Sequence, residues 1–136
     1  MNNYSKTTTI FQMDATECGA ACLDMVMAYH GIYVPFDLIK VEISAYKDEI
    51  NAAQIMRAAK RMGLECHGYR KEPEGLRELE MPCIIHWNFN HFVVLEGFKE
   101  KNVYLNDPAV GRRELTWEEF DNGFTGVVLT FNKKGL

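Results

Sequence analysis

The first half of the chain carries apolar residues at the spacing of helices. From about Glu17 to His30, apolar side chains fall at positions i, i+3, i+4 and i+7, which is the pattern of one buried helix face. The residues of this face are Cys22, Met25, Val26 and Tyr29. Asp14 or Thr16 can cap the start of the helix, and Gly31 can end it.

Two further helices are predicted before the middle of the chain. Pro35 suits the first turn of a short helix from Phe36 to about Ile43. Asn51 can cap a third helix that ends at Gly63. The buried face of that third helix comprises Ile55, Ala58, Ala59 and Met62.

After Gly63, alternating and β-branched residues replace the helical spacing, and this change predicts strands. The predicted strands are Leu64–Tyr69, Cys83–Trp87, His91–Lys99, Asn102–Asn106, Arg112–Leu115 and Gly126–Asn132. A small helical piece is expected at 73–79, and Thr116 with Glu119 has the pattern of a capping box for one helical turn. Helices followed by strands predict an α+β fold with a mostly antiparallel sheet.

Length and composition predict a single domain, 1–136, with an ordered core of about 10–132. The 136 residues are 47% hydrophobic and 25% charged, as in ordinary soluble proteins. A net charge of −4 gives no reason to expect nucleic acid as a partner. We see no secretory signal, no apolar run long enough to span a bilayer and no P-loop. The four cysteines are expected to be free thiols in a reducing cytoplasm.

Cys18 stands directly before the apolar part of the first predicted helix. Unpaired backbone N–H groups and the helix dipole favour a thiolate at a helix N-terminus, and the thiolate is the reactive form of cysteine. Small residues follow it, Gly19 to Ala21, and these could leave space for a substrate. Gln12 lies six residues upstream, where its amide could donate to an oxyanion. This arrangement indicates a nucleophile with half of an oxyanion hole.

A thiolate nucleophile needs a base, and the base needs an orienting group. His91 opens a predicted strand, and Asp107 follows the next one. A hairpin around Glu100 and Lys101 would bring Asp107 back toward His91, although an ideal two-residue turn leaves the two out of register. Each residue alone has a structural explanation. Together, the chain order Gln, Cys, His, Asp is that of papain-like cysteine proteases.

The motifs around these residues support a narrower comparison. They are Gln12-Met-Asp-Ala-Thr-Glu-Cys18-Gly-Ala-Ala, Ala28-Tyr-His-Gly31, His86-Trp-Asn-Phe-Asn-His91-Phe-Val-Val-Leu, Asn106-Asp-Pro108 and Gly111-Arg112-Arg113. From Gln12 to Phe131 the chain resembles the bacteriocin-processing peptidase domain, the N-terminal part of peptidase-containing ABC transporters. The resemblance implies a papain-like fold and cleavage of a leader peptide after Gly-Gly or Gly-Ala.

The resemblance also implies the role of each site residue. Cys18 would be the nucleophile, and His91 the general base and later the acid. Asp107 would orient the imidazole, and Gln12 would donate to the oxyanion. No cofactor or metal is implied.

The implied partners are a precursor peptide with an amphipathic helical leader and a transmembrane and ATPase portion of a longer transporter. The implied location is cytoplasmic, at the membrane face in a transporter. Apolar candidates for leader contact are Tyr33–Phe36, Tyr46 and Trp87–Phe89, and none is assigned as a binding residue.

Three alternatives remain open at this stage. A metal module would use the two Cys and two His at Cys66-His67 and Cys83-x-x-His86, although their spacing lacks a zinc knuckle. A non-catalytic docking domain would hold the leader of an exported peptide without cleaving it. Another papain-like hydrolase, such as a transglutaminase or deamidase, would use the same Cys-His-Asp set.

Overall fold

The computed structural model describes residues 3–44 and 51–133. The helices are α1 (Cys18–Tyr29), α2 (Phe36–Ser44), α3 (Ala52–Arg61) and α4 (Trp117–Gly123), with 3₁₀ turns at Ala15–Glu17 and Pro73–Glu78. The strands are β1 (Asn3–Tyr4), β2 (Leu64–Arg70), β3 (Cys83–Trp87), β4 (His91–Lys99), β5 (Asn102–Asp107), β6 (Gly111–Leu115) and β7 (Phe124–Lys133). None of the helices in these two ranges combines the length and apolar character needed to cross a membrane.

The seven strands form one sheet in which neighbouring strands run antiparallel. The order across the sheet is β2-β7-β3-β4-β5-β6, and β1 pairs with β4. The predicted α+β class is therefore confirmed, with α1 to α3 preceding most of the sheet in the chain. The bounds predicted for β3 and β4 agree with the structure at both ends.

The first helix is buried on every side, which corrects the expectation of one buried stripe. Every residue of α1 from Cys18 to Met27 is buried, whereas Tyr29, which was predicted to lie on the buried face, is 45% exposed. One side of α1 meets the sheet through residues such as Phe92, and the other meets α2 and α3. Burying each large apolar side chain contributes on the order of 1.5–3 kcal/mol, so this central position fixes α1 firmly.

The opposite face of the sheet is covered by α4 and the second 3₁₀ turn, and this face is rich in aromatic residues. The Phe120 ring of α4 lies 5.7 Å from the Trp87 ring and 6.4 Å from the Phe98 ring. The capping box of Thr116 and Glu119 that starts this helix is present as predicted. The sheet therefore has a packed layer on each face.

The packed part of the chain begins before residue 10, earlier than the sequence analysis expected. Asn3 and Tyr4 form β1 on the edge of the β4 backbone, and Thr7 is buried. A Cβ on Gly97 would lie 1.9 Å from the carbonyl oxygen of Asn3, and Gly97 has a φ of +136°. Glycine at this position therefore allows the N-terminal segment to approach the sheet.

The helix starts largely follow the predicted capping residues. Asn51 and Gln54 form a capping box at α3, and α2 begins immediately after Pro35. The capping box predicted for Asp14 and Glu17 at the start of α1 is replaced by a different pair of hydrogen bonds. Asp14 accepts from the N–H of Thr16, and Glu17 accepts from the N–H of Met13, so these two residues shape a 3₁₀ turn ahead of α1.

Candidate active site

Cys18 is the first residue of α1, at the end of the 3₁₀ turn. Glu17 holds this turn, since its carboxylate accepts from the Met13 N–H at 2.7 Å and from Lys40 of α2 at 2.9 Å. Cys18 is only 7% exposed, so a substrate reaches its sulfur along a restricted path. The position of the Cys18 thiol at the helix start is thus fixed by a turn that is itself bonded to Met13 and to α2.

His91 and Asp107 are in direct contact, which the sequence had left open. His91 Nε2 lies 2.8 Å from Asp107 Oδ1. Since Nε2 is taken by the carboxylate, Nδ1 is the ring nitrogen left for the Cys18 sulfur. The hydrogen bond with Asp107, followed by one with Cys18, raises the pKa of His91 to about 9. The imidazole is therefore held in its charged form across neutral pH.

A β-bulge in β4 makes this contact possible. Lys99 pairs with Asn102 across a two-residue turn, but the register shifts between Leu95 and Gly97, which leaves Glu96 unopposed. Leu95 then pairs with Leu105, and alternation along the strands puts His91 and Asp107 on the same side of the hairpin. Without the bulge, Asp107 would point to the opposite side.

The surroundings of Asp107 keep it ionised. Burial alone would raise the pKa of Asp107, but its hydrogen bonds with His91 and the Ala109 N–H and the charge of Arg113 outweigh burial and lower it. The Ala109 N–H donates to Oδ1 at 2.8 Å, and Arg113 lies 3.6 Å from Oδ2. A fixed negative charge therefore faces the imidazole.

Gln12 enters the site next to Asp107. Its backbone N–H donates to the carbonyl of Pro108 at 2.9 Å. Its side-chain Oε1 is buried and has no hydrogen-bond partner among the described residues. A buried polar atom without a protein partner is uncommon, and this one is the acceptor end of the amide, whereas the role expected for Gln12 uses the N–H end.

The segment that carries Gln12 is anchored by a buried ionic cluster. Glu96, which is 1% exposed, accepts from the Thr7 N–H at 2.6 Å and from Arg112 Nη2 at 2.8 Å. Arg112 also donates to the Thr7 carbonyl at 2.5 Å. Although burial opposes ionisation, the hydrogen bonds from Arg112 and Thr7 lower the pKa of Glu96. Glu96, the bulge residue of β4, thus also holds the N-terminal segment against the sheet.

A cleft of about 830 Å³ opens beside Cys18. It is bordered by the 3₁₀ turn, α2, the start of α3 and the β3–β4 connection, and its apolar lining residues are Ala15, Ala20, Ala52, Phe89, Phe92 and Val127. Of the small residues after Cys18, Ala20 lines this cleft, whereas Gly19 and Ala21 are buried in the packing of the helix. The cleft is large enough for an extended peptide segment.

The apolar candidates for substrate contact differ in position. Phe89 is 82% exposed and lines the cleft, whereas Trp87 is only 4% exposed and belongs to the core. Tyr33 is 82% exposed, and Tyr46 lies outside the described residues.

The other three cysteines are buried and poorly suited to chemistry. Burial raises the pKa of Cys66 and of Cys83 to about 12, and it raises the pKa of Cys22 well above its usual value. Cys22 instead packs against β4 and donates to the Phe92 carbonyl. Within residues 3–44 and 51–133, no three His, Cys, Asp or Glu side chains are grouped to hold a metal ion. Cys18 is thus the thiol that the site can use.

Sequence reasoning missed several residues that support the site. Glu96 and Lys40 were not singled out, and Arg112 appeared only within a motif, yet the three fix the bulge, the N-terminal segment and the turn before Cys18. A signal for the bulge was present, because Glu96-Gly97 interrupts an otherwise apolar strand, and glycine within a strand often marks a bulge.

A helix-borne thiol facing a histidine–carboxylate couple on an adjacent sheet defines a cysteine peptidase of papain-like architecture. The sequence model of the Peptidase C39 family matches residues 6–135. The chain belongs to the Peptidase C39 family, which confirms the class that the fold and the site define.

Curated relatives are parts of larger transport proteins. The probable microcin-H47 secretion/processing ATP-binding protein MchF of Escherichia coli is 36% identical over 124 residues. The colicin V secretion/processing ATP-binding protein CvaB of Escherichia coli is 35% identical over 124 residues. Each match covers 91% of this chain and 18% of the relative, so the chain spans under a fifth of their length.

A solved structure matches almost the whole chain. It is a double glycine motif protease from an AMS/PCAT transporter, in complex with the leader peptide. It is 48% identical, with a TM-score of 0.93, and the match covers 98% of this chain and 99% of that one.

Proposed function

We propose that this chain removes the leader from ribosomally made precursor peptides of the bacteriocin or lanthipeptide type, by cleaving after Gly-Gly or Gly-Ala. The observation that carries the proposal is the 2.8 Å contact of His91 with Asp107, on a ring that also bonds Cys18. The likeness to a double glycine motif protease supports the choice of substrate.

In the proposed acylation step, the Cys18 thiolate attacks the carbonyl carbon of the second glycine. The carbonyl oxygen becomes an oxyanion, which the Gln12 amide and a backbone N–H near Cys18 stabilise. The tetrahedral intermediate expels the amine of the mature peptide, which takes a proton from the His91 imidazolium. The C–N bond is thereby exchanged for a thioester bond between the leader and Cys18.

Hydrolysis of the thioester then regenerates the enzyme. His91, now neutral, takes a proton from water, whose oxygen attacks the thioester carbonyl. The second tetrahedral intermediate expels the Cys18 thiolate and releases the leader with a free carboxylate. Asp107 remains ionised throughout and keeps the imidazole oriented.

Recognition of the substrate would depend on the helical part of the leader more than on the two glycines at the cleavage site. Glycines offer little contact area, whereas an amphipathic leader helix offers spaced apolar anchors. The cleft beside Cys18, with apolar and charged lining residues, supports a place for the leader end that precedes the scissile bond. The proposed setting is the cytoplasmic face of a transporter, where the transmembrane and ATPase portions would then receive the mature peptide.

The experiment that tests the proposal is mass spectrometry of a precursor with a Gly-Gly leader, incubated with wild type, Cys18→Ala and Cys22→Ala. We expect cleavage directly after the second glycine by wild type and by Cys22→Ala, and no cleavage by Cys18→Ala. Tight leader binding without cleavage by wild type would indicate a docking domain instead. Amide transfer or deamidation without chain cleavage would indicate another papain-like activity.

A further inference from the structure

We propose that His86 is a positioning residue for His91, acting through the turn that joins β3 to β4. His86 lines the same cleft as Cys18, yet it has no part in the reaction described above. Only the substrate-based readouts of its test rest on the proposed function.

The turn between the two strands has a backbone that needs support. Trp87 pairs with His91, so residues 88–90 form the connection. Asn88 has a φ of 49° and Phe89 a φ of 68°, both in the left-handed region. That conformation costs roughly 1–2 kcal/mol for a residue with a side chain, most of all for a bulky one. Phe89 is 82% exposed, so packing of its own side chain does not hold the turn.

His86 supplies contacts that hold this turn. Its Nδ1 lies 2.9 Å from Thr125 Oγ1 on β7, and its ring forms a hydrogen bond with the backbone of Phe89. The Thr125 hydroxyl also lies 3.2 Å from the His86 carbonyl oxygen. On the same turn, the Asn88 N–H donates to the Gly123 carbonyl at 2.8 Å. The ring thus bridges β7 and the strained turn.

An irregularity in the sheet gives His86 its place. The register between β3 and β7 shifts between Ile85 and Trp87, so His86 sits at the irregular position. Its ring packs edge-on against Phe92 at a centroid distance of 5.1 Å. The ring therefore contacts the backbone of Phe89, which precedes His91, and the side chain of Phe92, which follows it. Movement of this ring would move the backbone that carries His91.

The ring is suited to bridging in its neutral form. Burial lowers the pKa of His86, and the nearby charge of His91 acts in the same direction. A neutral imidazole has one donor and one acceptor: its N–H donates to the Phe89 carbonyl, and Nδ1 accepts the proton of the Thr125 hydroxyl, which then does not donate to the His86 carbonyl. His91, by contrast, is held charged by Asp107. The two histidines of this hairpin thus have different roles.

The test uses three variants that separate ring shape from hydrogen bonding. His86→Phe keeps the aromatic packing on Phe92 but removes both polar contacts. His86→Gln keeps a donor and an acceptor, and Thr125→Val removes only the hydroxyl. The matched control is His67→Phe, which replaces an exposed histidine on β2.

The first readout is the rate of Cys18 alkylation by iodoacetamide, which reports the reactivity of the sulfur beside His91 and needs no substrate. The second is kcat and KM for a Gly-Gly precursor, together with the Kd of the leader peptide alone. We expect His86→Phe to lower the alkylation rate and kcat by roughly ten- to hundredfold, with the leader Kd unchanged. His86→Gln should restore most of both rates, Thr125→Val should be intermediate and His67→Phe should match wild type.

If the alkylation rate and kcat of His86→Phe equal those of wild type, the proposal is overturned. A change confined to KM or to the leader Kd would overturn it as well. If His86→Phe does not fold, as judged by circular dichroism, Thr125→Val decides, and wild-type rates in that variant would overturn the proposal. If no precursor is cleaved by any variant, the proposed function fails, while the alkylation rates still test the role of His86.

Discussion

The backbone N–H of Gln12 donates to the carbonyl of Pro108 at 2.9 Å, which fastens the N-terminal segment beside Asp107. The proposed oxyanion donor and the orienting carboxylate therefore share one anchoring point. Further back, Thr7 of the same segment is bonded to Glu96 and Arg112. The geometry of the site thus depends on a segment with little regular secondary structure of its own.

Replacing the proposed oxyanion donor should slow the reaction without abolishing it. We expect Gln12→Ala to lower kcat by on the order of 10²–10³, because one of two donors to the oxyanion is lost. Gln12→Glu should be slower still, since a carboxylate repels the developing negative charge. Steady-state kinetics on a Gly-Gly precursor provides the measurement. Wild-type kcat in Gln12→Ala would exclude this role for the residue.

Removing the charge of the orienting carboxylate should change the pH dependence of the reaction. The folded-state pKa of His91 is raised to about 9, first by Asp107 and second by Cys18, so the imidazolium that protonates the leaving amine persists to alkaline pH and is lost above it. In Asp107→Asn this pKa should fall toward the ordinary value of about 6.5. The alkaline limb of the kcat/KM profile should therefore move to lower pH.

That profile is measured on wild type and Asp107→Asn in parallel, with folding checked by circular dichroism. An alkaline limb at the same pH in both proteins would show that Asp107 does not control the ionisation of His91.

Removing the arginine of the buried cluster should destabilise the fold. Arg112→Met leaves the buried Glu96 carboxylate without a charged partner, and we expect a loss on the order of 1.5–3 kcal/mol in the free energy of unfolding. The folded-state pKa of Glu96 is lowered, so its stabilising contribution is present above the ordinary pKa of about 4.3 and is lost as the pH falls. The deficit of the variant should therefore be large at neutral pH and shrink in acid.

Urea unfolding at neutral and acidic pH measures this difference. Arg70→Met is the control, since Arg70 is exposed near the end of β2. An equal deficit at both pH values would contradict an electrostatic origin.

A methyl group at the bulge should disrupt the docking of β1. In Gly97→Ala the new Cβ would collide with the Asn3 carbonyl, and the residue would keep an unfavourable φ of +136°. We expect a loss of about 1–3 kcal/mol in stability and a lower kcat, because the segment that carries Gln12 shifts with β1.

Thermal unfolding and precursor cleavage are measured together for this variant. Gly75→Ala is the matched control, because its Cβ would meet only the flexible Lys71 side chain, at 3.4 Å. Similar behaviour of the two variants would argue against a special role for Gly97.

Much of the fold was predictable because local signals were strong. Residues 83–87 and 91–99 are rich in β-branched and apolar residues and are bounded by a turn, so both ends of β3 and β4 were correct. The two-residue strand β1 was missed because it carries no periodic pattern and depends on contact with Gly97. The complete burial of α1 was missed because it comes from α2 and α3, which pack on its second side.

The sequence proposed members for the candidate site but not their geometry. Chemistry and chain order pointed to Cys18, His91, Asp107 and Gln12. The contact of His91 with Asp107 depends on one unopposed residue, Glu96, whose effect on the register is a property of the paired strands. His86 was noted only within a motif and as a candidate metal ligand, because its hydrogen bond with Thr125 joins residues far apart in the chain.

The burial of three cysteines has a consequence for oxidative damage. Peroxides react with thiolates, and burial holds Cys22, Cys66 and Cys83 in the thiol form. Oxidation of cysteine in the folded chain is therefore concentrated at Cys18, which lines the cleft. A preparation kept without reductant would lose activity while its other three cysteines stay intact, and a mild thiol would recover it as long as the Cys18 sulfur had not passed beyond the sulfenic acid.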